Sequence, residues 1–341
     1  MSNTLFFLIA LLLFSSCNSQ TNVESINAEP NVKINGLNLV SENHSLSQIH
    51  IEPILEVACN YAAVIPFSFM PAIGNPNLSF DSKWQWKGEK VHGTIESIQL
   101  LHKNGVKVMI KPQIWIGHGE FTGHIEMKSE KDWTNFEKAY REFILAFAKV
   151  AEDQKVDILC IGTELNKFVM QRSAFWEKLI EEIRATYSGK LTYAENWDCY
   201  DKVPFWTKLD FVGVDAYFPI SDKEKPSKIE LVDNWRPIIE ELQKVYKRVE
   251  KPILFTEYGY RSMTFAAKKP WDFSIKGNVD ENTQVESLNA LYESIWDKDF
   301  FAGGFLWKWH PNHSSAGGGS NSSFTVQNKK AEQIVRFQYS K

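Results

Sequence analysis

Cys160-Ile161-Gly162-Thr163-Glu164-Leu165-Asn166 and Phe255-Thr256-Glu257-Tyr258-Gly259-Tyr260 each carry an apolar, β-favouring run straight into a glutamate. Outward from these two segments, comparable runs recur at residues 36–40, 62–69, 106–113, 157–162, 190–194, 211–216, 252–256 and 303–306. Stretches with helical spacing separate them, at 46–58, 92–104, 133–152, 174–187, 235–249 and 284–296, and a last one at 330–339 follows the eighth run. Only the fifth crossover, 198–209, is short and weakly helical. Strands alternating with helices form βα units around a parallel sheet. Eight of them predict an α/β protein of the (β/α)8 TIM-barrel type, which takes about 250 residues. No Gly-rich phosphate fingerprint follows the first strand, so a dinucleotide fold finds no support. Without an internal repeat or a dividing linker, residues 34–341 are expected to form a single domain. Long segments at 75–88, 117–132, 218–234 and 261–283 follow strand ends, where a barrel builds its cleft.

The 341 residues are 43% hydrophobic and 23% charged, the balance of a globular protein with a sizeable core. A net charge of -4, with no basic run beyond pairs such as Lys268-Lys269, argues against nucleic acid as a partner. Twelve tryptophans are unusual, and a flat apolar face with a polar edge suits a ligand groove. Near the start, the apolar run 5–14 is shorter than the ~20 residues that span a bilayer and fits a signal-peptide core. It leads through Ser15-Ser16 to Cys17, which resembles the lipobox of bacterial lipoproteins. Residues 1–17 are therefore expected to be a lipoprotein-type signal peptide and 18–33 a polar tether, in an exported protein that meets the membrane only through lipid on Cys17. Cys59, Cys160 and Cys199 fit neither a zinc site nor a disulfide framework. His310 and His313 flank a Pro-Asn turn without a third ligand, so no metal and no other cofactor is expected. Gly317-Gly318-Gly319-Ser320 lacks the lysine of a phosphate cradle and reads as a surface loop. No strongly apolar surface segment argues for self-association, and a monomer is expected.

In a parallel barrel, chemistry sits where the strands end, at the C-terminal face. Strand alternation places Ile158, Cys160, Gly162 and Glu164 on one row, and Ile253, Phe255 and Glu257 on another. Each glutamate then occupies the last inward position, and since they stand 93 residues apart only the closed barrel can join them. A lone glutamate at a strand end is ordinarily a salt-bridge partner or a helix cap. Two of them ending inward rows in aromatic-rich segments supply an acid/base and a nucleophile for cutting a glycosidic bond. Lys111, near the end of the third strand, is read as the partner of a barrel carboxylate, and Asp215 as a substrate contact or a loop holder. Trp307 shares an inward row with Phe305 and is expected to floor the site, with Trp115 and Trp197 as sugar platforms.

Gly162-Thr163-Glu164-Leu165, Thr256-Glu257-Tyr258-Gly259-Tyr260-Arg261-Ser262 and Gly304-Phe305-Leu306-Trp307-Lys308-Trp309 resemble glycoside hydrolase family 113, a (β/α)8 family of clan A best known for β-1,4-mannanases. The likeness extends through Tyr193-Ala194-Glu195-Asn196-Trp197-Asp198, Val214-Asp215-Ala216-Tyr217-Phe218-Pro219, Phe324-Thr325 and Asn328-Lys329, over residues 34–340. It implies a retaining β-glycosidase for mannan or manno-oligosaccharides, with Glu164 as acid/base, Glu257 as nucleophile and Tyr217 hydrogen-bonding the nucleophile. Many clan relatives carry asparagine immediately before the acid/base, where this chain has Thr163, and Asn196 is the candidate to contact the sugar 2-hydroxyl instead. Two alternatives stay open at this point: a clan A enzyme for another β-linked glycan, and a carbohydrate-binding lipoprotein without turnover.

Overall fold

Pro66 and Pro112 shape the first half of the molecule, because a proline donates no backbone hydrogen bond and restricts the residue before it. In a computed structural model, which describes residues 32–341, each divides what reads in the sequence as one strand. Among the described residues there are ten strands, β1 (Ile34–Leu39), β2 (Tyr61–Val64), β3 (Phe67–Met70), β4 (Lys107–Ile110), β5 (Gln113–Ile116), β6 (Ile158–Thr163), β7 (Lys190–Asn196), β8 (Val212–Asp215), β9 (Ile253–Tyr258) and β10 (Phe301–Trp309). Eight close into a barrel in the order β1-β2-β4-β6-β7-β8-β9-β10, all neighbours parallel. Beyond the prolines, β3 and β5 leave the barrel and pair with each other as a two-stranded parallel annex. The leader, the tether and Cys17 fall outside the described residues, apart from the tether's last two positions.

The helices are α1 (Gln48–Glu56), α2 (Val91–Lys103), α3 (Glu130–Asp153), α4 (Asn166–Gln171), α5 (Ser173–Thr186), α6 (Lys228–Val249), α7 (Glu281–Ile295) and α8 (Lys330–Tyr339). Ser129 caps α3 by accepting from the Asp132 backbone N–H at 3.2 Å, with Glu130 and Asp132 favourably placed in the first turn. One face of α3 then buries Trp133, Phe136, Tyr140, Phe143 and Phe147. α6 starts seven residues before the expected 235, since Ser227 caps it from the loop and Leu231 and Trp235 are buried together. The fifth crossover holds only two short 3-10 turns, at Tyr200–Lys202 and Trp206–Lys208.

Two apolar layers result. Ile34, Ala63, Met109, Ile158, Cys160, Ala194, Phe211, Leu254 and Phe305 fill the barrel interior. A larger layer, rich in aromatic residues, packs the outer strand faces against the helices. Among the described residues, no helix is long and apolar enough to cross a membrane.

Candidate active site

The interior layer shows that simple alternation does not deliver the two glutamates to the barrel mouth. In β6, Ile158 and Cys160 point inward as expected. A Cβ on Gly162, however, would lie 2.6 Å from the Tyr140 hydroxyl and 3.0 Å from Trp176, both outside the barrel. The register between β6 and β7 shifts between Cys160 and Thr163, so the row slips by one residue there. In β9 the inward residue is Leu254, whereas Phe255 packs outward on Trp235 and Phe301. The row that joined Ile253, Phe255 and Glu257 is thus corrected. A shift opposite Val214 and Asp215 lets Thr256 and Glu257 both face inward, while Tyr258 returns to the outer layer. Such irregularities are known to re-aim side chains beside functional sites.

Glu257 is 7% exposed and held by three groups. Tyr217, just past β8, donates its hydroxyl to Glu257 Oε2 at 2.6 Å, and Gln113 Nε2 donates to Oε1 at 3.3 Å. Lys111, fully buried beyond β4, forms an ion pair with the same Oε1 and a second with Asp215 at 3.1 Å. One step removed, Thr256 donates to Asp215 Oδ1 at 2.7 Å and so orients the carboxylate that shares Lys111. Burial disfavours the charge on Lys111, but the Asp215 and Glu257 carboxylates outweigh it, and the ammonium is held above its ordinary pKa. Asp215 is pushed up to about 7, by burial first and then by the Glu257 charge, with Lys111 pulling the other way.

Glu164 follows β6 in a left-handed conformation, φ 51°, which costs a non-glycine residue about 1–2 kcal/mol. Its neighbours fix that turn. The Glu164 backbone N–H donates to Ala194 O at 2.8 Å, and that of Leu165 to the Tyr193 hydroxyl at 2.7 Å. Tyr193 in turn donates to Glu195 Oε2 at 3.1 Å, and Glu195 Oε1 accepts from the Asn196 backbone at 2.9 Å. Burial raises the Glu164 pKa well above the carboxylate range, and the charges of Asp215 and Glu257 raise it further. Both causes favour the protonated form of this carboxyl. Glu195, fully buried, is pushed by burial to about 7.

The remaining candidates sit around these two. Trp307 is half-buried at the end of β10, with Lys308 Nζ 5.6 Å from its ring centre and a cis peptide between the two residues. Asn196 stands opposite Asp215 in the strand register, and its Oδ1 accepts from the Trp197 backbone at 2.9 Å. Trp197 packs on Trp271, ring centres 4.9 Å apart, so it belongs partly to the loop packing. Trp115 lies on the annex, 54% exposed. The Thr163 hydroxyl is buried without a hydrogen-bond partner among the described residues. His313 pairs with Glu332 at 2.7 Å, and among the described residues no group of three His, Cys, Asp or Glu is placed to hold a metal. Gln113 escaped the sequence reading, and Thr256, Tyr193 and Glu195 entered it only as members of motifs, without a role of their own. The Pro112 break, which starts a new strand at Gln113, was the available signal for that residue.

The model of glycoside hydrolase family 113 matches residues 42–329. A β-mannanase of that family from Alicyclobacillus acidocaldarius, solved in complex with ManMIm, superposes with a TM-score of 0.78 at 23% identity, over 90% of this chain and 97% of the other. A further β-1,4-mannanase of the family gives 0.78 at 22% identity, over 90% and 99%. A β-glucuronidase from Ruminococcus gnavus gives 0.61 at 14%, over 90% of this chain and 50% of the other. No curated protein matches the chain.

Proposed function

Since the chain belongs to glycoside hydrolase family 113 and is a glycoside hydrolase, we propose that it cuts β-1,4-linked mannan or manno-oligosaccharides with retention of configuration. The observation that carries the mechanism is the unlike environment of two carboxyl groups at one barrel mouth. Burial and neighbouring negative charge favour the protonated form of Glu164, whereas Glu257 is ion-paired with Lys111 and accepts from Tyr217 and Gln113. Glu257 attacks the anomeric carbon as Glu164 protonates the departing glycosidic oxygen, which leaves a covalent glycosyl-enzyme. Water then attacks the same carbon, gives its proton to Glu164 and releases Glu257. Lys111 and Tyr217 hold the Glu257 oxygens in place before and after the bond forms. That the family's solved members named above are β-mannanases supports the choice of sugar.

The test follows the anomer of the first product by proton NMR on manno-, cello- and xylo-oligosaccharides. Initial release of the β-anomer is expected from the manno series, with activity lost by at least about 10³-fold in Glu257→Ala. Glu164→Ala should keep turnover of substrates with a good leaving group and form a β-glycosyl azide when azide is added. An α-anomer product would overturn retention. Cleavage of another series alone would overturn the sugar, and binding without any cleavage would favour a carbohydrate-binding protein.

A further inference from the structure

The annex carries apolar surface that the two-carboxylate chemistry does not use. Its strands pair in register, Phe67 with Gln113 and Phe69 with Trp115, so these four residues share one face. The opposite face is the buried one, with Ser68, Met70, Ile114 and Ile116. At the near end of the open face, Gln113 touches the Glu257 carboxylate at 3.3 Å. Two residues further out, about 7 Å along the strand, Trp115 lies 54% exposed. Beside it the Trp84 ring meets Phe69 edge-on, centres 4.5 Å apart, and remains 62% exposed.

The loop that supplies Trp84 is fastened to the annex. Phe69 and Ser79 exchange backbone hydrogen bonds of 2.9 and 3.0 Å. Gln85, only 3% exposed, donates to Phe67 O at 3.0 Å and accepts from the Ser82 backbone at 2.8 Å. Its neighbour Trp84 is thus exposed on a loop with a buried anchor, a placement that lowers the entropic cost of stacking a ligand on it.

We propose that Phe69, Trp84 and Trp115 form a distal sugar platform, continuous with the reacting site through Gln113. Its occupant is a remote part of the same β-linked chain whose bond is cut at Glu257. The inference rests on the glycosidase reading above. The occupant follows from continuity: the annex extends the C-terminal ends of β2 and β4, so its open face borders the mouth. The apolar faces of pyranose rings match exposed indoles, and a chain long enough to reach them is bound along its length and cut internally.

The test measures kcat/KM of the full chain, Trp84→Ala and Trp115→Ala on manno-oligosaccharides of increasing length and on mannan. Each substitution should lower kcat/KM about tenfold on the longest substrates and less than about twofold on the shortest one cleaved, with unchanged melting. An equal loss at every length, or no loss on the longest, overturns the platform. If the unsubstituted chain cleaves a different β-linked series, the sugar assignment fails and the same length dependence in that series decides the platform. A chain that cleaves none overturns both.

Discussion

Glu195 shows how one buried carboxyl can shape the behaviour of a site without reaching it. It accepts from Tyr193, whose hydroxyl receives the Leu165 N–H, and so steadies the left-handed turn at Glu164. Its pKa of about 7 in the folded chain, against about 4.5 unfolded, means that the folded state binds the proton more tightly. This contribution to stability, about 3 kcal/mol at full strength, is present below pH 4.5 and is lost as pH rises toward 7. Glu195→Gln, which mimics the protonated group, is expected to flatten the fall of Tm between pH 5 and 8. Thermal melts across that range check it, and parallel curves for the two proteins would contradict it. Glu164 differs in the proposed mechanism, where its proton goes to the leaving group, so its raised pKa should govern the alkaline fall of activity rather than stability alone.

At the scale of elements, the barrel was legible because apolar strands and amphipathic helices have different periods, and both recur without interruption. The positions of Glu164, Glu257, Tyr217 and Trp307 at strand ends were legible for the same reason. What alternation could not reveal were the register shifts after Cys160 and after Phe255, which depend on neighbouring strands rather than on the strand itself. The annex was missed because the sequence reading joined its strands to the barrel strands across Pro66 and Pro112. Gly162 carries the consequence for β6. A methyl group there would press on the Tyr140 hydroxyl, which donates to Ile161 O at 2.8 Å, and on Trp176 and Tyr193. Gly162→Ala is therefore expected to cost about 1–3 kcal/mol and to lower kcat by displacing the following Glu164. Denaturant unfolding together with kinetics checks it. Full activity with native stability would show that the slip at Gly162 has no need of a bare backbone.

Across the whole molecule, the ion pairs of Lys111 tie together strands that the sheet does not pair. Lys111 extends β4, whereas Asp215 and Glu257 lie on β8 and β9 across the barrel. One ammonium thus sits between two carboxylates in the interior, where removing one member of an ion pair leaves uncompensated charge. Lys111→Met is expected to destabilise the fold by about 3–5 kcal/mol and to abolish activity, since Glu257 loses its cation while facing Asp215. Adding Asp215→Asn should return much of the stability, because only one carboxylate would remain beside Tyr217 and Gln113. It should not return activity, because Glu257, the proposed nucleophile, would still lack the charge that positions it. Unfolding free energies and kcat for the two single variants and the double variant form a cycle that separates these effects. If stabilities simply added, with no recovery in the double variant, Lys111 would serve packing rather than charge. If activity recovered along with stability, the lysine would only neutralise Asp215, and the orientation of Glu257 would fall to Tyr217 and Gln113.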